Sequence, residues 1–370
     1  MDSFDIIVIG AGIAGASVAA RLAPDKTVCI LEMEDRAGYH STGRSAAMFV
    51  PNYGPPPILA VTRASFDFFN APPPGFTDTP LLTRRGTLML EAEGQQSATA
   101  ELLSFGVGLK ELTEAQAQTL FPVLRQGYAK RFLLDPNTFD IDVDLLHRGF
   151  LKMAKSGSAE LVTSAPLTAL KRNGAQWHVT AGAHKLTAPV VVNAAGAWGD
   201  EIAKLAGVKP VGLIPKRRSI GVIPVPDQTG LMSWPMLMDT AETWYGKPQS
   251  GKLLISSADE TPVDPHDAYA DDLAIAEGVE SLMAATTLVV DRLEHSWGGL
   301  RTFPHDGNPV VGFDPSTDGF FWHSGLGGYG IQSSPALSEV AASLLLGGKV
   351  PAYILAAGLN LAEIQPDRFQ

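Results

Sequence analysis

Three glycines near the start of the chain have the spacing of a phosphate-binding turn. Gly10, Gly12 and Gly15 directly follow the apolar residues 6–9 and precede small residues that can begin a helix. Such glycines allow a tight turn, let the backbone approach a pyrophosphate and let the helix pack closely on the strand. Glu32 ends the next apolar run, about 20 residues further on, where a carboxylate can bind a ribose. Because all these features agree, a dinucleotide site is favoured over a glycine turn that binds nothing.

The polar loop after Glu32 indicates which dinucleotide is expected. Residues 40–47 read His-Ser-Thr-Gly-Arg-Ser-Ala-Ala and have no apolar period of their own. This loop resembles the FAD-dependent amino-acid oxidoreductases of the D-amino acid oxidase family, and within that family the D-arginine dehydrogenases. The same resemblance is carried by three later segments, at residues 234–237, 299–301 and 327–332. It therefore covers nearly the whole chain and implies FAD as the cofactor.

The resemblance implies that both ends of the chain contact the FAD. The predicted contacts are Gly10, Gly12, Ala14, Gly15, Glu32, Met33, Ser41, Thr42, Gly43, Arg44, Ser45, Ala47, Ala195, Gly196, Trp198, Arg301, Gly327, Gly328, Tyr329, Gly330, Ile331 and Gln332. The late glycine turn precedes a predicted helix, whose N-terminal dipole can face the flavin where negative charge develops on reduction. The single cysteine, Cys29, lies in an early apolar strand, far from the late cysteine that tethers flavin in sarcosine oxidases. The FAD is therefore predicted to bind non-covalently.

Two arginines on predicted strands are candidates for binding a substrate carboxylate. Arg218 and Arg301 match the carboxylate-binding arginines of the D-arginine dehydrogenases, with an ordinary exposed position as the alternative for each. A guanidinium can bind a carboxylate through two parallel hydrogen bonds. Tyr53 and Tyr245 fall where the family places phenols over the substrate, although a ring in the core is the alternative. Ser45 is predicted beside the reactive edge of the flavin, or else as a helix N-cap.

The reaction that this resemblance implies is hydride transfer from the substrate Cα to flavin N5. It gives an imino acid, which water converts into a 2-keto acid and ammonia. Because the flavin carries the difficult chemistry, the protein mainly positions Cα, and no obligate catalytic base is expected. The loop containing Tyr53 and Gly54 is predicted to act as a lid. The electron acceptor, a quinone or oxygen, is left open by the sequence.

The predicted substrate pocket differs from that of the D-arginine dehydrogenases at two positions. Thr87 stands where those enzymes have a glutamate that pairs with the distal guanidinium, and Met48 stands where they have a histidine. Because burying an unpaired cation is costly, D-amino acids with uncharged, largely apolar side chains are expected to be preferred over D-Arg. This expectation assumes that no other acid, such as Glu242 or Asp239, replaces the missing one. The remaining predicted pocket residues are Met236, Met238, Gly328 and Gln332, with plain core packing as the alternative for the methionines.

Two other functions compete with D-amino acid oxidation. The first, on the same fold, is oxidation of secondary or N-methyl amino acids in the manner of sarcosine, proline or glycine oxidases. The second is a nicotinamide-binding or non-catalytic interaction protein that keeps only the nucleotide fold. The flavin loop and the late glycine turn count against the second.

Composition limits the partners and the location of the protein. The 370 residues carry a net charge of −11, which leaves no basic surface for nucleic acid. Hydrophobic residues make up 45% of the chain, yet no stretch approaches the ~20 apolar residues that span a bilayer. The N-terminus leads directly into the first strand, without the charged region of a secretory signal. The protein is therefore expected to be cytoplasmic, or peripheral to the inner membrane, with no metal site.

The elements that position these residues alternate between strands and helices. The predicted fold is α/β, with a GR2, glutathione-reductase-like FAD-binding Rossmann domain interleaved with an α+β substrate domain built on an antiparallel sheet. The FAD-binding domain is expected to be discontinuous, comprising residues 1–50, 140–210 and 290–370. The substrate-binding domain then comprises residues 51–139 and 211–289. One of the strands predicted near the second boundary runs from Val289 to Trp297.

Overall fold

A computed structural model describes residues 2–225 and 230–369. The strands of these residues are β1 Asp2–Ser3, β2 Ile6–Ile9, β3 Val28–Leu31, β4 Met48–Phe49, β5 Leu82–Arg84, β6 Thr87–Glu91, β7 Lys110–Leu112, β8 Arg131–Asp135, β9 Phe139–Ile141, β10 Glu160–Val162, β11 Leu167–Asn173, β12 Gln176–Ala181, β13 His184–Ala188, β14 Val190–Asn193, β15 Ile214–Ile223, β16 Met236–Asp239, β17 Tyr245–Gln249, β18 Lys252–Ser256, β19 Thr261–Pro262, β20 His295–Phe303, β21 Val310–Phe313 and β22 Phe320–Ser324. The α-helices are α1 Ile13–Leu22, α2 Pro56–Asn70, α3 Gln96–Phe105, α4 Glu114–Leu120, α5 Val143–Ser156, α6 Gly199–Ala206, α7 Asp272–Ala285, α8 Gly330–Leu345 and α9 Ala352–Ala356.

A six-stranded sheet forms the first layer, in the order β10-β3-β2-β14-β22-β21. Its strands pair in parallel except at β21–β22. All four residues of β2 are buried, because one face packs on α1, α5 and α8 and the other packs on the sheet β1-β13-β12-β11. Parallel strands covered on both faces are uniformly apolar for this reason. The carboxyl ends of β2, β14 and β22 meet at one edge, where doubly wound sheets bind their ligands.

A nine-stranded sheet forms the second layer, in the order β19-β15-β18-β17-β16-β6-β8-β7, with β20 paired to β15. Its pairs are antiparallel except β6–β16. The predicted start of one strand is wrong, because the strand expected from Val289 begins at His295. This strand pairs with β15 along its whole length, so it lies in the same sheet as the 211–289 strands. The predicted α/β fold with an interleaved second sheet is confirmed, whereas the domain boundaries stay predictions.

Candidate functional site

A cavity of about 420 Å³ lies at the carboxyl ends of the parallel strands. This volume is within the range of cofactor and small-molecule sites. The predicted FAD contacts that line it are Gly10, Gly12, Ala14, Glu32, Met33, Ser41, Thr42, Arg44, Ser45, Ala195, Gly196, Trp198, Arg301, Gly327, Gly328, Gly330 and Ile331. The predicted contacts outside this lining are Gly15, Gly43, Ala47, Tyr329 and Gln332. The tertiary structure thus brings segments from both ends of the chain to one cavity.

The turn between β2 and α1 needs its glycines for steric reasons. Gly10 has φ +100°, and a Cβ there would lie 2.5 Å from the Ala194 carbonyl oxygen. A Cβ at Gly15 would lie 1.8 Å from the Gly10 carbonyl oxygen, so the helix could not pack on the turn. The Thr42 hydroxyl accepts a hydrogen bond from the Ile13 amide at 3.0 Å and satisfies one donor of the first helical turn. The rest of the α1 N-terminus is open to the cavity, where its backbone amides can bind the pyrophosphate of FAD.

The predicted ribose-binding carboxylate, Glu32, also holds the turn in place. Its side chain accepts hydrogen bonds from the amides of Ala11, at 2.9 Å, and Glu34, at 3.0 Å. The Nε2 of His147 lies 2.8 Å from the Ala11 carbonyl oxygen and must donate to it. Burial lowers the pKa of His147, and donation to the Ala11 carbonyl opposes this shift. The role of Glu32 toward a ribose stays a prediction.

The loop of residues 40–47 is fastened to the second sheet. The Ser41 hydroxyl donates to the Leu300 carbonyl oxygen at 2.6 Å, and the Trp297 indole donates to the Arg44 carbonyl oxygen at 3.0 Å. The Arg44 guanidinium donates to the Ala268 carbonyl oxygen at 2.7 Å and also pairs with Asp267. Hydrogen bonding from Arg44 lowers the pKa of Asp267. The loop therefore forms a wall of the cavity that joins the two sheets.

The two predicted carboxylate-binding arginines lie on neighbouring strands but differ in their partners. Arg218, on β15, is 6% exposed and donates to the Asp259 carbonyl oxygen at 2.9 Å and to Glu260 at 3.3 Å. Arg301, on β20, donates to the Tyr53 hydroxyl at 3.2 Å and forms no ion pair with a carboxylate of the described residues. A Cβ at Gly328 would lie 2.9 Å from its Nη1, so the guanidinium needs glycine at that position. Of these two arginines, Arg301 is therefore the one that has no carboxylate partner among the described residues.

Both predicted tyrosines lie close to this guanidinium. The Tyr53 ring packs edge-on against Tyr329, with 4.9 Å between the ring centroids. Tyr245 is 6% exposed and lies near Arg301, and its hydroxyl has no hydrogen-bond partner among the described residues. A buried hydroxyl without a partner is unfavourable unless a bound molecule supplies one.

The other predicted pocket residues, apart from Gly328, lie outside the cavity lining. Thr87 is 1% exposed, and its hydroxyl is 2.9 Å from that of Thr138, which leaves no charge at this position. Met236 pairs with Thr87 across β6–β16, and Met238 pairs with Tyr245 across β16–β17. Met48 lies on β4, directly after the loop of residues 40–47. The side chains of two further predicted residues hold backbone amides: Ser45 accepts from Ala47 at 3.1 Å and Gln332 accepts from Val50 at 2.9 Å.

Three polar residues near the site have no counterpart among the predicted contacts. Glu242 is accessible to solvent but has protein on most sides, and this burial raises the pKa of its carboxyl to about 7, against the opposing charges of Arg301 and Arg218. Lys247 is 4% exposed and donates to the Ala46 carbonyl oxygen at 2.6 Å. His323 lies in the cavity lining on the apolar strand β22. The only sequence signal for the last two is a polar residue within a strand.

Two kinds of feature are absent from the described part of the chain. No group of histidine, cysteine or acidic side chains in residues 2–225 and 230–369 could hold a metal ion. Within the same ranges no helix combines the length and the apolar character that crossing a membrane requires.

Comparison with known proteins gives a consistent family. The sequence model of the family described as FAD dependent oxidoreductase (DAO) matches residues 5–344. The FAD-dependent oxidoreductase domain-containing protein 1 of Xenopus laevis is 30% identical over 175 residues, and the match covers 43% of this chain but only 35% of that protein. Glycine oxidase of Pseudomonas aeruginosa is 24% identical over 366 residues, covering 92% of this chain and 94% of the enzyme.

The solved structures show the same fold. L-proline dehydrogenase from P. horikoshii superimposes with a TM-score of 0.84 at 20% identity, covering 100% of this chain and 98% of that one. The predicted family and the predicted cofactor, FAD, are therefore confirmed. None of the relatives reported above is a D-arginine dehydrogenase. The narrower resemblance to those enzymes therefore stays a prediction.

Proposed function

The chain belongs to the FAD-dependent oxidoreductase family, and from this premise we propose that it oxidises the Cα–N bond of D-amino acids. The product would be an imino acid that hydrolyses to a 2-keto acid and ammonia. When bound, FAD supplies the acceptor for the hydride that leaves Cα. The protein's task is then to hold the substrate by its carboxylate and present Cα to the cofactor.

The observation that carries the proposal is the unpaired guanidinium of Arg301. It borders the FAD cavity and donates to a phenol, and no carboxylate of the described residues lies within ion-pair distance of it. A charge held in such a place is costly unless an anion completes it. The carboxylate of an amino acid fits the guanidinium, because the two planar groups form paired hydrogen bonds.

The residues around Arg301 have complementary roles in this proposal. The hydroxyl of Tyr245, which has no partner among the described residues, can donate to a substrate carboxylate. Tyr53, in the loop before α2, covers the Arg301 guanidinium. Arg218 is already held by Glu260 and the Asp259 carbonyl, so it contributes positive charge with less freedom to turn toward the substrate. We therefore assign the main carboxylate contact to Arg301.

The preference for uncharged side chains rests on Thr87, with Glu242 as its competitor. Thr87 is buried against Thr138 and offers no charge to a distal cation. Apolar side chains gain about 25 cal/mol for each Å² buried against residues such as Met236 and Met238. Glu242, however, is an acid within electrostatic reach of Arg301. We propose that the Glu242 carboxyl group interacts with the amino group of the substrate. The pocket for the substrate side chain then contains no charged group.

Oxidation of secondary amino acids is the second candidate. It is supported by the similarity, at 23% identity along 93% of the chain, to the sarcosine oxidase subunit beta of Rhizobium meliloti. The same Arg301 would bind the carboxylate of either substrate class, so this residue does not separate them. The electron acceptor is left open, as either a quinone or oxygen.

Anaerobic mixing of the FAD-loaded protein with a panel of substrates tests the proposal. The panel contains D- and L-amino acids, sarcosine and L-proline, and bleaching of the flavin absorbance is the readout. D-Met and D-Leu are expected to bleach it. Faster bleaching by sarcosine or L-proline than by any D-amino acid would favour the second candidate. Bleaching by none of these compounds would reject both.

Variants of the arginines test the carboxylate contact itself. Arg301→Met is expected to lose about 3 kcal/mol in kcat/KM, which is more than about a hundredfold. Arg301→Lys keeps the charge without the planar fork and serves as the matched control, with a smaller loss. Arg218→Met is expected to fall between the wild type and Arg301→Met. Unchanged kinetics in Arg301→Met would refute the assignment.

A further inference from the structure

Asn52 occupies an unusual place in the loop that carries Tyr53. This loop, residues 50–55, runs between β4 and α2, and we call it the Tyr53 loop. Asn52 is 5% exposed, although its neighbours on either side are only half-buried. Its side chain therefore points away from solvent into the protein, next to the residue that covers Arg301.

Every polar atom of the Asn52 side chain has a partner. Its Nδ2 donates to Asp135 at 2.8 Å and to the Val107 carbonyl oxygen at 3.0 Å. Its Oδ1 accepts from the Val107 amide at 3.0 Å and from Arg63 at 3.3 Å. The amide thus joins the loop to β8, to the segment after α3 and to α2.

Asp135 makes this attachment a strong one. It is 1% exposed and forms no ion pair with a cation of the described residues. Its second oxygen accepts from the Asn137 amide at 2.9 Å, so Asn52 is the side chain that satisfies the first. Burial raises the pKa of this carboxyl, and the hydrogen bonds from Asn137 and Asn52 oppose that shift because they stabilise the ionised form. Release of the loop would leave this buried carboxylate short of a donor.

A glycine, Gly54, directly follows these contacts in the Tyr53 loop. Gly54 has φ +110°, a conformation that favours glycine. A Cβ there would lie 2.7 Å from Ile58 and 3.0 Å from Tyr329. Rotation about this glycine would move Tyr53 away from Arg301, and the Asn52 contacts oppose that rotation.

We propose that Asn52 is a positioning residue that holds the Tyr53 loop closed over Arg301. It acts through Tyr53 and touches neither cofactor nor substrate. Substrate entry and product release then require the Asn52 contacts to open, while closure orients the carboxylate. The loop contacts stand on their own geometry, but the molecule held under the loop is an amino acid only if the proposed function is correct.

Hydrogen–deuterium exchange of the FAD-loaded protein, without substrate, reads the loop contacts directly. The Val107 amide donates to Asn52, and the Tyr53 amide donates to the Val50 carbonyl oxygen. Asn52→Ala is expected to raise exchange at both amides on the order of tenfold. Asn70→Ala, at the far end of α2, removes another asparagine amide and is the matched control, expected to leave both within about twofold. Unchanged exchange in Asn52→Ala overturns the proposal.

Asp135→Ala provides a second, independent perturbation should Asn52→Ala not fold. It removes the acceptor from the opposite side and is expected to raise exchange in the same loop. Exchange that rises throughout β8 but not in the Tyr53 loop would overturn the proposal.

Kinetics then separate positioning from a purely structural role. With an amino acid that bleaches the wild type, Asn52→Ala is expected to raise KM on the order of tenfold. The rate of flavin reduction at saturating substrate should stay within about threefold, because bound carboxylate recloses the loop. Faster exchange with unchanged KM overturns the positioning role. If no compound bleaches the wild type, the proposed function fails, and exchange alone decides whether Asn52 holds the loop.

Discussion

The buried histidine of the cavity, His323, should make stability depend on pH. Its side chain is 1% exposed, and neither ring nitrogen has a hydrogen-bond partner among the described residues. Burial lowers the pKa of this imidazole from 6.5 to about 4. The unfolded chain therefore binds a proton at a higher pH than the folded one does. The stability linked to His323 is complete above pH 6.5 and is lost as the pH falls toward 4.

The size of this effect follows from the two pKa values. At about 1.4 kcal/mol per pH unit, the full difference corresponds to about 3 kcal/mol, of which about 2 kcal/mol is lost by pH 5. His323→Leu places an apolar side chain at this buried position and removes the titrating ring. The free energy of unfolding should then fall less steeply between pH 7 and pH 5 than in the wild type, by about 2 kcal/mol.

Urea unfolding in a fixed excess of FAD, followed by tryptophan fluorescence at several pH values, measures the difference. Groups such as His147, whose pKa is also lowered by burial, act equally in both proteins and cancel. His184→Leu, at the exposed first position of β13, is the matched control and should retain the wild-type dependence on pH. Parallel curves for His323→Leu and the wild type would refute the reasoning, because the ring would then have to be solvated or paired.

Three further results are expected. Acid precipitation should leave the yellow colour in the supernatant, because the chain has no late cysteine to tether FAD; colour in the pellet would show a covalent bond. Gly15→Ala should lower the free energy of unfolding by about 2 kcal/mol or more and weaken FAD retention, whereas Gly348→Ala, with room for a Cβ, should change neither. In steady-state assays kcat/KM should be higher for D-Met and D-Leu than for D-Arg, and Glu242→Gln should affect all three alike. A loss confined to D-Arg would instead identify Glu242 as the partner of the distal cation.

Local sequence predicted the nucleotide-binding unit because its requirements are local. The turn after β2 needs glycine at positions that only a few residues separate, as the short Cβ distance at Gly15 shows. The capping aspartate of α5, Asp142, likewise accepts from the Leu145 amide three residues later. Constraints of this range are visible in a window of sequence. The start of β20 was harder to predict, because a strand begins where its partner β15 offers hydrogen bonds.

The division of roles within the site was decided by contacts between residues that are distant along the chain. Arg218 and Arg301 are equivalent candidates in the sequence, and in the structure Glu260 reaches Arg218 whereas Tyr53 reaches Arg301. Asn52 is an ordinary polar loop residue until folding brings Asp135, 83 positions away, against its amide. Sequence alone determined that this chain builds an FAD site and supplies arginines near it. Only the tertiary structure decided which arginine lacks an anion, because a charge is paired or unpaired according to its neighbours in space.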